Sequence, residues 1–212
     1  MSENLVQDDQ PEIVKEKVSE QDGTIYSGQV KKGTEIKHGY GEMREPEGSR
    51  YFGMWQNGKQ SGLGRKVYID GDFYHGQWTE GMANGFGVYR CSDYRVYHSN
   101  SGEAKHDGTS YEGFWKDDEW DDFGIHRRGD GQIYSGQMKK GQMHGFGEFV
   151  FADGIRYIGE YRENEIEGYG VTVQKHDDTI FAGNWVASVK QGQGTYVWGS
   201  TARAYVGDYE SD

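Results

Sequence analysis

The stretch YSGQMKKGQMHGFGEF, Tyr134 to Phe149, places four glycines among sixteen residues of otherwise strand-like sequence. Glycine weakens a strand interior, because it loses the most chain entropy on folding and packs nothing. Repeated strand glycines therefore imply that another group needs the space. The same spelling recurs as YFGMWQNGKQSGLGRKVYIDG from Tyr51, YHGQWTEGMANGFGVYR from Tyr74, YEGFWKDDEWDDFGIHRRGDG from Tyr111 and YIGEYRENEIEGYGVTV from Tyr157. With weaker starts at Tyr26, Phe181 and Tyr205, the leading aromatics stand 23 to 25 residues apart, with one interval of 37 between Tyr74 and Tyr111. Self-similarity at a fixed period marks a repeat architecture.

Each unit reads aromatic-x-Gly-x-aromatic, a turn, then Gly-x-Gly. In an extended chain alternate side chains share a face, so Tyr51, Gly53 and Trp55 lie together, as do Tyr74, Gly76 and Trp78. The same alternation joins Tyr111, Gly113 and Trp115, then Tyr134 and Gly136, then Tyr157, Gly159 and Tyr161. Folding each hairpin about its turn sets Trp55 opposite Gly62 and Gly53 opposite Gly64. The corresponding pairs are Gly85 and Gly87, Gly145 and Gly147, and Gly168 and Gly170. Together these glycines form an expected trough in which rings lie.

Asp-Gly pairs at 22–23, 70–71, 107–108, 130–131 and 153–154 favour tight turns just before an aromatic strand. The expected fold is all-β, an elongated antiparallel meander of consecutive hairpins over residues 22–212, preceded by a short, flexible acidic arm over 1–21 and interrupted by an insertion at about 94–107. Only 33% of residues are hydrophobic and the mean hydropathy is −0.96, too little for a large central core. A seam of aromatics takes its place. On the opposite face, Phe86 with Val88, Phe146 with Val150, Tyr169 with Val171 and Val173, and Val197 form an apolar strip that either packs under a curved sheet or is covered by a partner.

These units resemble the MORN repeat (membrane occupation and recognition nexus), whose unit reads Tyr-x-Gly-x-Trp followed by Gly-x-Gly. The resemblance runs from about residue 22 to 209. Val30 and Met138 stand where the second aromatic belongs, Asp122 replaces a first glycine, and two extra turn residues precede Gly39 and Gly41. Repeats one and four are therefore the expected irregular hairpins. Within FAGNWVASVKQGQGTYVWGSTARAYVGDY, the elements Gly192 to Tyr196, Ser200 to Thr201 and Tyr205 to Tyr209 are similar to the terminal repeats of ciliary radial spoke head proteins. This narrower resemblance implies a non-catalytic scaffold in the radial spoke head of a motile cilium or flagellum. There it would transmit mechanical signals between the central pair and the dynein arms, with other axonemal or spoke-head proteins as partners. The wider family also leaves open a membrane-associated adaptor that binds phosphoinositides or tethers a membrane to the cytoskeleton.

Charge weighs between these readings. The chain carries −12, of which residues 1–22 hold seven acids against two lysines. Such a balance disfavours nucleic acid and anionic bilayers as nonspecific partners. The basic pairs Lys31–Lys32, Arg127–Arg128 and Lys139–Lys140 are short and diluted by acids. In DDEWDD, the acids Asp117, Asp118, Glu119, Asp121 and Asp122 read as a solvated turn or as a contact for a basic partner; their spacing lacks the alternating ligands and glycine of an EF-hand. Tyr205 and Tyr209 belong to a half repeat, which reads either as a frayed cap or as a strand edge pairing with another copy or a paralogue.

No apolar run approaches the roughly 20 residues of a transmembrane helix, and MSENLVQDDQPE lacks the basic and apolar regions of a signal peptide. With a single cysteine, Cys91, the expected setting is a reducing, intracellular compartment, the cytoplasm; the cytoskeleton of a cilium or flagellum is what the resemblance implies. No catalytic, cofactor or metal site is expected. His38 and His144 occupy equivalent repeat positions, and Cys91, His98 and His106 do not make a zinc signature. The Gly-x-Gly pairs close strands and open no helix, as nucleotide binding would require. Similar repeats precede catalytic domains in some lipid kinases and lysine methyltransferases, for which this sequence leaves no room. The repeated rings either pack against one another or line a ligand groove.

Overall fold

Among the described residues, sixteen antiparallel strands follow one another in a single sheet whose spatial order is their chain order. The computed structural model describes residues 13–92, 108–201 and 203–210. The strands are β1 (Ile13–Ser19), β2 (Ile25–Lys31), β3 (Lys37–Arg44), β4 (Arg50–Gln56), β5 (Lys59–Val67) and β6 (Phe73–Thr79). They continue as β7 (Met82–Arg90), β8 (Ser110–Lys116), β9 (Glu119–Arg127), β10 (Ile133–Lys139) and β11 (Gln142–Val150). The last five are β12 (Arg156–Arg162), β13 (Glu165–Gln174), β14 (Thr179–Val186), β15 (Val189–Trp198) and β16 (Arg203–Tyr209). The sheet thus begins before residue 22: β1 pairs with β2 from Ile13↔Lys31 to Ser19↔Ile25, and Val18 is buried in the core. Residues 1–12 and the insertion at 94–107 lie outside the described residues.

The turns explain the order. Within repeats, Asn57–Gly58, Glu80–Gly81, Asp117–Asp118, Lys140–Gly141, Glu163–Asn164 and Ala187–Ser188 all have positive φ at both central residues, the conformation whose twist matches a two-residue hairpin. Between repeats, the Asp-Gly turns at 70–71, 130–131 and 153–154 place glycine at φ of +85° to +91°. There the aspartate accepts from the N–H two residues on, as in Asp70 Oδ1 to Asp72 N at 3.1 Å.

The glycines have two different tasks. At the second glycine of the pair, the absent side chain makes room for a ring: a Cβ on Gly147 would stand 2.5 Å from Cε2 and 2.6 Å from Oη of Tyr134. Lying flat over Gly136 and Gly147, Tyr134 then donates its hydroxyl to the carbonyl of Gln137 at 2.6 Å. Tyr26, Tyr51, Tyr74, Tyr111 and Tyr157 repeat this bond to the residue three positions on, at 2.6 to 3.2 Å. The first glycine does something else. Gly62 and Gly145 have φ of +67° and +62°, and the register slips beside them. Trp55 consequently pairs with Gln60, not with Gly62, while Gly62 faces Trp78 of the next hairpin. The expected Gly53↔Gly64 pairing is present. A bulge, rather than ring space, is what the first glycine provides.

Repeats one and four are regular in register. β2–β3 and β8–β9 shift at the same point as the other hairpins. Asp122 adopts φ +60°, so a short polar side chain replaces glycine without losing the bulge. The extra residues of repeat one form a turn closed by Lys31 N to Ile36 O at 3.0 Å.

Rings from adjacent hairpins meet edge to face. Tyr26, Trp55, Tyr51, Trp78, Tyr74, Trp115 and Tyr111 form one ladder with centroids 5.0 to 5.3 Å apart. A second ladder runs from Tyr134 through Tyr161, Tyr157, Trp185 and Phe181 to Tyr209, at 4.9 to 5.6 Å. Each such contact adds about 0.5–1.5 kcal/mol beyond area burial. Met138 interrupts the ladder, and Trp120 stacks flat on Tyr111 at 4.3 Å instead. On the other face Tyr40, Leu63, Phe86, Phe146 and Tyr169 are exposed, confirming the alternation.

Candidate functional site

The ring face carries a groove of about 920 Å³ across β9 to β15. Its floor alternates two sets of residues. Trp120, Met143, Ile166 and Lys190 come two positions before the first glycine of their repeats, or before Asp122 in that place; Met138, Tyr161 and Trp185 come from the second-aromatic position. Cross-strand pairing brings Met138 to Met143, Tyr161 to Ile166 and Trp185 to Lys190. A smaller groove of about 620 Å³ over Tyr74, Trp78, Ala83 and Trp115 shares Trp120 with the first. The sequence held the signal for this floor in the period 120, 143, 166, 190; only the aromatic and glycine positions entered the motif.

Two cations stand in the larger groove. Arg128 donates to Gln132 Oε1 at 3.0 Å and lies 5.8 Å from the Phe149 ring. Lys190 lies over three rings, Phe181 at 4.4 Å, Tyr196 at 5.5 Å and Trp185 at 5.7 Å, and burial holds its ammonium below the usual lysine range. Neither forms an ion pair among the described residues. Beneath the floor, Tyr161 Oη and Trp185 Nε1 are buried without a hydrogen-bond partner, whereas Trp78 Nε1 donates to Gly64 O at 3.2 Å. Desolvation also raises the tyrosines of the ladder, Tyr26 and Tyr157 to about 12.

The acidic turn is largely occupied by the fold. Asp118 N donates to Ala83 O at 3.1 Å, and Asp118 Oδ1 accepts from Ala83 N at 2.7 Å, a reciprocal latch onto the preceding repeat. Asn164 with Met143 and Ser188 with Ile166 make the same pair of bonds. Asp117 Oδ1 accepts from Asn84 Nδ2 at 2.9 Å, and Asp121 Oδ2 from Lys140 N at 3.4 Å. Glu119 lies on β9 opposite Lys116, and Asp122 holds the bulge. Tyr209 closes the second ladder against Phe181, while Tyr205 is exposed at its end.

Lys139 and Lys140 share a depression with Lys116 and His144 and with two acids, Asp121 and Asp122. His38 and His144 lie on β3 and β11, eight strands apart in the sheet order. Cys91 is half-buried, and His98 and His106 lie outside the described residues. Among the described residues no three His, Cys, Asp or Glu side chains gather as a metal site, and no helix is long and apolar enough to cross a membrane.

Comparison with known proteins adds three findings. The family model of the MORN repeat matches residues 51–73, 74–94, 134–156, 157–173 and 181–203, about half of the chain, and the units beginning at Tyr26, Tyr111 and Tyr205 lie outside those five segments, apart from the start of β16. No curated protein matches the chain. Among solved structures, the SAS-4 (dCPAP) TCP domain of Drosophila melanogaster, in complex with a proline-rich motif of Ana2 (dSTIL), is similar at 11% identity and a TM-score of 0.47, covering 92% of this chain and 90% of that one.

Proposed function

This chain belongs to the MORN-repeat family, and from that premise we propose that it is a non-catalytic scaffold of the ciliary or flagellar axoneme, held in the radial spoke head among other axonemal proteins. MORN repeats serve in general as scaffolds and adaptors. The observation that carries the reading is the single-layer sheet, in which strand pairing runs without a break through the sixteen described strands, with two ladders of rings along one face and exposed side chains along the other. Fifteen strand pairings in series among the described residues, with reciprocal turn latches at Asp118, Asn164 and Ser188, suit a part that must hold its shape under bending load. The resemblance of Phe181–Tyr209 to spoke-head terminal repeats supports the spoke head as the proposed location. The net charge of −12 disfavours a membrane adaptor, and Asp121 and Asp122 stand beside the Lys139–Lys140 pair.

Expression of the tagged protein in ciliated cells, followed by detergent extraction of the ciliary membrane, tests this. Retention along the extracted axoneme is the expected result. Release with the membrane fraction would overturn it.

A further inference from the structure

We propose that the groove over β9 to β15 binds an extended, acidic peptide segment with aliphatic or aromatic side chains, contributed by a partner protein; the proposal rests on the scaffold reading and names the partner's chemistry. Three features select that occupant. Seven strands at about 4.8 Å spacing give a trough roughly 29 Å long, which matches about nine residues of extended chain at roughly 3.3 Å each. The floor of Trp120, Met138, Met143, Tyr161, Ile166 and Trp185 is apolar, and its thioethers adapt to irregular side chains.

Charge decides the rest. Arg128 on the β9 side and Lys190 on β15 face the groove from opposite ends, each placed over rings and free of any carboxylate among the described residues, in a chain of net charge −12. Lys190 is half-buried among its rings, and a cation so desolvated interacts more strongly with an incoming carboxylate than one in water; Arg128 is exposed and meets its carboxylate at the mouth of the groove. Acidic side chains at the two ends of a nonapeptide meet both. Asp153 also lines the groove, so the peptide's acids are placed at its two ends, beside Arg128 and Lys190, with apolar residues between them.

The test pans a display library of random nonapeptides on the full-length protein, then measures the best labelled peptide by fluorescence anisotropy. Enrichment of Asp or Glu near both ends with apolar residues between is expected, with affinity falling at least tenfold in each of Arg128→Gln and Lys190→Gln and recovering in Lys190→Arg. Circular dichroism melts of each variant separate lost folding from lost binding, and the outer-face variant Phe146→Ser is expected to bind normally. Enrichment of basic or uncharged peptides, or equal affinity in a folded Arg128→Gln/Lys190→Gln double variant, overturns the proposal. Sodium oleate is the second probe: saturable oleate binding that peptides cannot displace also overturns it. If the double variant still captures axonemal proteins as the wild type does, the groove assignment fails while the scaffold stands. If nonapeptides bind as expected but the protein leaves the axoneme with the membrane, the groove stands and the axonemal placement fails.

Discussion

Gly147→Ala is expected to destabilise the sheet far more than Gly145→Asn, although the two glycines are neighbours in one Gly-x-Gly pair. The alanine methyl would sit 2.5 to 2.7 Å from three atoms of Tyr134, so the ring must leave its seat. Overpacking costs about 1–3 kcal/mol. Displacement also breaks the Tyr134 hydroxyl bond to Gln137 O, worth about 1 kcal/mol, and the edge-to-face contact with Tyr161, worth about 0.5–1.5 kcal/mol. The sum is about 3–5 kcal/mol. At Gly145 the constraint is the backbone, φ +62°, which asparagine tolerates and which Asp122 already adopts at φ +60°. The new side chain displaces the Gln137 amide, whose Oε1 accepts from Phe146 N at 2.8 Å, and loss of that one exposed bond sets the expected cost at about 1 kcal/mol. With a urea dependence of about 2 kcal/mol per molar, the midpoints fall by about 1.5–2.5 M for Gly147→Ala and about 0.5 M for Gly145→Asn. Repeat sheets can unfold in parts, so tryptophan fluorescence and far-ultraviolet circular dichroism are followed together. A Gly147→Ala midpoint equal to or above that of Gly145→Asn would refute the division of labour between the glycines.

Alkaline stability follows from the same seats. Burial raises Tyr26 and Tyr157 to about 12 and moves Tyr51, Tyr74, Tyr111 and Tyr134 in the same direction, so the unfolded chain releases these protons near pH 10 while the folded chain keeps them. Their contribution is complete below about pH 10 and is lost as pH rises toward 12; melting temperature is expected to fall steeply in that window together with phenolate absorbance, and a flat profile would contradict it. Asp118→Ala removes the acceptor for Ala83 N and is expected to cost about 1–2 kcal/mol by urea unfolding, whereas Glu119→Ala changes little; equal effects would show that the acidic turn is not a latch. Deleting residues 1–19 removes β1 and uncovers Val30 and the edge of β2, so a lower melting temperature and faster amide exchange in Ile25–Lys31 are expected, and an unchanged melt would remove β1 from the structural core.

Much of the fold was legible because its devices are periodic. The leading tyrosines, the glycine pairs and the Asp-Gly turns each recur with the repeat, and antiparallel order follows once every turn is tight. What the spacing of Trp55 and Gly62 could not reveal was the bulge, since a register slip is set by backbone torsion and leaves the sequence pattern unchanged. Asp122 looked like an irregularity because its letter differs from glycine, although its backbone does the same thing. The acids Asp117 and Asp118 looked like surface charge, and their bonds to the preceding repeat depend on neighbours that only the folded sheet brings together. Trp120, Met143, Ile166 and Lys190 vary in chemistry from repeat to repeat, so the groove floor carries no consensus although its period is plain.

Affinity purification of the tagged protein from ciliated cells, with cross-linking and mass spectrometry before any high-salt wash, tests the scaffold assignment most directly. Recovery of radial spoke and axonemal proteins, with cross-links concentrated on lysines of the repeat sheet, is the result expected of a structural component. Recovery of membrane proteins and lipid kinases in their place would contradict it.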